Sequence, residues 1–143
     1  MVETPAMDRK KVIFACTHSA GRSQMAAAFF NALADPAKAR AAAAGTEPAD
    51  RVHPEVVAAM GELGFDLSAA RPQKLTLELA QGASLMVTMG CGANCPYLPG
   101  VRVEDWALED PKGKPPDQVR RIRDEIRLRV TRLIAREALG SAS

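Results

Sequence analysis

The stretch KVIFACTHSAGRSQMAAAFF, residues 11 to 30, decides the fold. Lys11 to Ala15 form a compact apolar run of strand length that ends on Cys16, and small and polar residues follow. From Gln24 onward, Met25, Ala28, Phe29 and Leu33 recur at spacings of three and four, which puts them on one face of a helix. The unit is strand, tight loop, helix, and Pro36 stops the helix. Working outward, residues 39–45 are almost all alanine; propensity alone favours helix, but the stretch is short and closed by Gly45, so it is read as a small-residue strand. Pro54 opens a helix carrying Val57, Met60 and Leu63, and Pro72 introduces another over 73–80, with Leu75 and Leu79 four apart. Residues 83–89 read as a strand, 90–96 as a loop, 101–106 as a strand nearer the sheet edge, and 110–116 as a turn-rich loop. Val119, Ile122, Ile126, Val130, Leu133 and Ile134 make the clearest helical stripe, with Pro115 and Pro116 before it and Gly140 after. Strands and helices alternate, so the expected class is α/β: a three-layer sandwich with a four-stranded parallel sheet and helices on both faces.

At 143 residues the chain suits one domain, and the expected organisation is a flexible leader over 1–10 and a single catalytic domain over 11–140. Hydrophobic residues are 47% of the chain, but 26 are alanines and only 4% are aromatic, which favours closely packed helices and sheet over a core of large rings. A net charge of +2 is too small to steer the molecule onto nucleic acid or an anionic membrane. Residues 117–137 hold seven arginines and four acids, read as a solvated helix face. Three cysteines cannot all be paired, which fits a reducing compartment. With no signal-like opening and no apolar run of membrane-spanning length, cytoplasm is the expected location and a monomer the expected state.

The chemistry concentrates in Cys16-Thr17-His18-Ser19-Ala20-Gly21-Arg22-Ser23. A loop leaving a parallel strand and feeding a helix N-terminus points backbone N–H groups at a common centre, where an oxyanion sits in the positive end of the helix dipole. Arg22 adds a planar guanidinium that holds two oxygens. Beside these donors the thiolate of Cys16 is stabilised and becomes a nucleophile toward the centre of a tetrahedral oxyanion. Taken singly, the cysteine reads as buried core and the arginine as solvated; the combination is what carries information.

These residues resemble the low-molecular-weight protein tyrosine phosphatases and, within the same fold, the thiol-dependent arsenate reductases. The shared motif is a cysteine, five residues, then Arg-Ser, and Cys16 through Ser23 match it. The wider string CTHSAGRSQMAAAFF, with VTMGCGANCP (87–96), EDWALEDPKGK (104–114) and the helix from residue 119, is more similar to the reductase branch. The resemblance implies the phosphatase-like fold, Cys16 as nucleophile, Arg22 as oxyanion clamp, and Ser23 as the hydroxyl bonded to the thiolate. Thr17, His18, Ser19, Ala20, Gly21, Arg22 and Ser23 would line the oxyanion site, and Asp110 would protonate the departing oxygen. The family's loop usually has Asn where this chain has Ser19, a residue less at ease in left-handed backbone.

The resemblance further implies that Cys91 attacks arsenylated Cys16 and that Cys95 resolves the resulting disulfide. Cys91 and Cys95 stand four apart in a glycine-containing loop, where one helical turn would put their Cα atoms about 6 Å apart, within disulfide reach. Such a pair also reads as half a zinc site or as two unrelated thiols. Zinc wants four ligands, and Cys16, His18 and His53 supply no second closely spaced pair, so no metal is expected. The implied activity is reduction of arsenate to arsenite with no bound cofactor. Electrons would come from reduced thioredoxin or, alternatively, from mycothiol and mycoredoxin, and phosphate or sulfate would compete. The alternatives are a phosphomonoesterase using Cys16, Arg22 and Asp110 through a phosphocysteine, and a non-catalytic oxyanion sensor.

Overall fold

The computed structural model describes residues 9–90 and 99–140. The chain runs β1 (Lys10–Cys16), α1 (Arg22–Leu33), β2 (Ala39–Gly45), α2 (Pro54–Gly61), α3 (Leu77–Ala80), β3 (Leu85–Thr88), β4 (Arg102–Asp105) and α4 (Pro116–Arg136). The four strands form one sheet in the order β2-β1-β3-β4, and every pairing is parallel. Of the expected leader, residues 1–8 lie outside the described residues, and Lys10 already opens β1.

Strand β1 is central, and Val12 to Cys16 are all buried, as a strand covered on both faces requires. The larger core lies on one face, where Phe14, Phe29, Phe30, Met60, Val87, Trp106 and Ile126 bring the sheet together with α1, α2 and α4. Phe14 stands at its centre, 5.9 Å from the Phe30 ring and 5.8 Å from Trp106. On the other face Ile13, Ala15, Ala44 and Met86 meet Leu75 and Ala80 in a thinner layer.

The alanine run of 39–45 is a strand, paired with β1 over its full length from Lys10–Ala39 to Cys16–Gly45. Helix propensity is overridden because the outer edge of β2 is satisfied by side chains. The Asn31 amide donates to Ala41 O at 3.0 Å and accepts from Ala41 N at 2.8 Å, and Gln73 Nε2 donates to Ala43 O at 2.9 Å. An edge so occupied cannot recruit another strand.

The helix expected over 73–80 begins only at Leu77. Gln73 O accepts from Gly45 N, and Leu75 N donates to Gly45 O at 2.8 Å, so this segment runs beside the end of β2. Thr76 then caps α3 by accepting from Leu79 N at 3.0 Å. Two helix faces also differ in detail. Leu33 is exposed at the end of α1, and on α2 Val56 and Ala59 are buried with Met60 while Val57 is half-buried.

Helix α4 buries the whole expected stripe, but its arginines are not only a solvated face. Arg123 is 7% exposed; its Nη1 donates to Ala59 O at 2.8 Å and reaches Glu62 at 2.9 Å, while its Nε bonds Asp124. Arg120 adds a two-pronged contact to Glu62. Hydrogen bonds from Arg120 and then Arg123 hold the Glu62 carboxyl down to about 2 from its ordinary 4.5. Because the folded value is the lower one, this clamp contributes stability above the ordinary value and loses it as pH falls through the folded one. Glu62→Gln should therefore flatten the decline of stability between pH 4.5 and about 2, read from urea midpoints across that range.

Candidate active site

The loop between β1 and α1 is built by turning its carbonyls outward. Cys16 O accepts from Thr46 N at 3.2 Å, Thr17 O from Glu47 N at 2.8 Å, His18 O from Ala49 N at 2.9 Å and Ala20 O from His53 N at 2.9 Å. Ser19 O accepts from Gln24 Nε2 at 2.9 Å, and Gly21 O from Met25 N at 3.0 Å. Each oxygen from Cys16 to Gly21 thus faces the surrounding protein. The N–H groups of His18 to Ser23 have no acceptor among the described residues, and with the carbonyls bonded outward the trans peptides turn these groups to the inner side. This is a concave anion site of the kind formed at helix N-termini.

Two glycines leave room for the loop, one for its backbone and one for its arginine. A Cβ on Gly45 would stand 2.5 Å from Thr17 O and 2.8 Å from Ser19 N, so the loop lies directly on the end of β2. A Cβ on Gly90 would stand 2.5 Å from Arg22 Nη1, and its φ of +105° already favours glycine. Ser19 has φ 53° and is fully buried.

Cys16 is buried at the base of the loop, its Sγ 3.1 Å from Ser23 Oγ; the hydroxyl can turn to donate when the sulfur is ionised. Arg22 spans the rim. Its Nη1 donates to Leu108 O at 3.1 Å and its Nη2 lies 3.7 Å from Asp110 Oδ2. Asp110 is held by Lys112 N donating to its Oδ1 at 3.0 Å, which leaves Oδ2 toward the arginine. Thr17 Oγ1 donates to Gly90 O at 3.3 Å, so the residue preceding Cys91 touches the loop.

The start of α2 braces the acid loop. Glu55 accepts from Gly113 N at 2.8 Å, and Pro111 stands against Gly21. Burial would raise the Glu55 carboxyl, but the Gly113 N–H, its own amide and nearby His53 together hold it below the ordinary value. Burial lowers His53 below its usual range, against the pull of Glu55 and Asp110.

The structure therefore brings together Cys16, Thr17, His18, Ser19, Ala20, Gly21, Arg22, Ser23 and Asp110, the residues singled out from sequence. Cys91 and Cys95 lie outside the described residues. Sequence reasoning missed Gln24, Gly45, Glu55 and the Leu108 carbonyl. Gly45 carried a faint signal, a glycine closing an alanine strand; the others are set by tertiary contacts alone. Among the described residues there is no cluster of three His, Cys, Asp or Glu able to hold a metal ion, and no helix is long and apolar enough to cross a membrane.

A parallel sheet with a buried cysteine under an amide-lined turn and an arginine across its mouth defines a cysteine-based oxyanion-binding α/β protein. The chain belongs to the low molecular weight phosphotyrosine protein phosphatase family, whose sequence profile matches residues 11–141. It is similar to the putative arsenate reductase of Halobacterium salinarum, 43% identical over 126 residues that cover 84% of this chain and 87% of that protein. The glutaredoxin arsenate reductase of a Synechocystis species is 35% identical over 130 residues, covering 89% and 98%. Among solved structures, the thioredoxin-dependent arsenate reductase of Corynebacterium glutamicum superposes with a TM-score of 0.77 at 35% identity, covering 90% of this chain. This chain spans 62% of that one.

Because Gly45 touches backbone, Gly45→Ala must push the loop off the sheet. It should cost about 1–3 kcal/mol in thermal or urea unfolding. Protection of Cys16 from iodoacetamide by inorganic phosphate should also be largely lost.

Proposed function

We propose that this chain is an arsenate reductase working through Cys16 and a thiol relay. The observation that carries the reading is the Cys16–Ser23 contact at the base of a turn whose six carbonyls all face away. It is supported by relatives at 35–43% identity whose names specify arsenate reduction. The amides of residues 17–23 and the Arg22 guanidinium hold three arsenate oxygens, and the Cys16 thiolate attacks arsenic. Asp110 gives its proton to the departing oxygen, which leaves as water. Cys91 then attacks Cys16 at sulfur; the S–As bond breaks, its electron pair stays on arsenic, and arsenite departs as a Cys16–Cys91 disulfide forms. Cys95 attacks Cys91, frees Cys16, and presents a Cys91–Cys95 disulfide to the reductant. Two thiols lose two electrons and arsenic gains them, so the chain needs no bound cofactor.

The catalytic unit is residues 11–140 acting as a monomer in the cytoplasm, where the relay can be kept reduced, with no part for nucleic acid or membrane. Thioredoxin is the favoured donor, in keeping with the name of the Corynebacterium neighbour; a glutaredoxin or mycothiol-linked redoxin is the competing one. A phosphotyrosine substrate fits less well. Phe14, Phe29, Phe30 and Trp106 are all in the core, and Phe65 packs on Phe29, so no described aromatic is left to flank a phenyl ring at the loop.

Two measurements check this reading. Asp110→Asn should lower arsenate turnover by about 10²-fold or more where chemistry is rate-limiting, with phosphate protection of Cys16 nearly intact. Cys95→Ser should release arsenite once and stall as a Cys16–Cys91 disulfide, seen by peptide mass mapping, while the native protein accumulates Cys91–Cys95 and is restored by thioredoxin. Full turnover of a C91S/C95S variant on mycothiol, with little activity of the native protein on thioredoxin, would replace the internal relay with the mycothiol scheme.

A further inference from the structure

The turn contains one residue in a conformation it does not favour. Ser19 has φ 53° with no solvent contact, and serine has less tolerance for the left-handed region than asparagine. The side chain that addresses it is Gln24, in the first turn of α1 and 7% exposed. Gln24 Nε2 lies 2.9 Å from Ser19 O, 3.3 Å from Ser19 Oγ and 3.3 Å from Arg71 O. Two of these are carbonyl oxygens, which only accept, so the nitrogen end of the amide must face them.

We propose that Gln24 is a positioning residue for the oxyanion site, holding the peptide between Ser19 and Ala20 with its oxygen turned outward and its N–H turned inward. Oxygen and N–H lie on opposite sides of a trans peptide, so drawing Ser19 O toward α1 aims the Ala20 N–H at the concavity. The bond to Arg71 O anchors the same amide to the segment leading toward β2's outer edge, so the donor itself is fixed. Without it, Ser19 O is left buried with no partner. The peptide then gains by rotating its oxygen inward toward the Arg22 guanidinium, and an inward carbonyl oxygen repels an oxyanion. Gln24 touches neither anion nor sulfur.

This inference rests on the reading of residues 16–23 as an oxyanion loop, and its test uses inorganic phosphate and no turnover, so a failure in arsenate reduction would leave it standing. Cys16 is alkylated by iodoacetamide in the full chain over a range of phosphate concentrations. Gln24→Leu should weaken half-maximal phosphate protection about tenfold, the scale of one lost buried hydrogen bond. Adding Ser19→Asn, which makes the left-handed backbone self-sufficient, should restore protection to within about twofold of the native protein. If Gln24→Leu fails to fold, Gln24→Met, of similar length and without a donor, takes its place in the same pair of measurements. Native-like protection in the folded Gln24 variant would overturn the proposal. So would failure of Ser19→Asn to restore phosphate affinity in a double variant whose melting temperature shows it to be folded.

Discussion

Everything at the head of this sheet follows from one constraint: six successive carbonyl oxygens, Cys16 to Gly21, are engaged on the outside of a tight turn. A buried carbonyl without a partner is costly, so the turn can exist only where donors surround it. Four of these donors are main-chain N–H groups of residues 46, 47, 49 and 53, in the segment that joins β2 to α2. That connection is therefore a sleeve around the turn, and its course explains why Gly45, at the end of β2, has no room for a side chain. The inward amides are a consequence of this outward bonding. Arg22 completes the enclosure by reaching across to Leu108 O and Asp110, joining the loop after β4 to the loop after β1.

The parallel sheet lets these contacts converge. With all four strands pointing one way, the segments that follow β1, β2, β3 and β4 emerge at one end, and the ligand site of such sheets lies there. The helices give this end its rigidity. Arg123 of α4 grips the end of α2 at Ala59 O and Glu62, and the start of α2 in turn holds the turn after Asp110 through Glu55 and Gly113. A charge buried in the middle of the last helix is thus connected, through one short helix, to the acid beside the site.

Much of this was legible in the residues. The run from Lys11 to Phe30 states strand, loop and helix in its polarity and small residues, and its cysteine, arginine and serine fall where an anion loop needs them. The stripe from Val119 to Ile134 is buried as its spacing demands. What could not be read is pairing across long separations. The helix expected over 73–80 loses its first turn because Gln73 and Leu75 bond with Gly45, a partner some thirty positions away. Gln24 reads as a helix former, and only the fold shows its amide turned back onto Ser19 and out to Arg71. Arg123 looks like one more solvated cation until Ala59 O is found beneath it.

The position of α4 in the chain also bears on how the protein comes into being. This helix follows all four strands in the chain, yet Ile126, Val130 and Leu133 cover the face of the sheet on which Phe14 and Trp106 lie. Until residues 116–136 have been synthesised and have docked, that face is open and α2 lacks the arginine that fixes its end. A nascent chain can pair β1 with β2 and close the turn once residues 46–53 are available, but the assembled acid loop awaits α4. A product cut short before residue 116 would carry the cysteine without the frame that α4 and α2 give the acid loop.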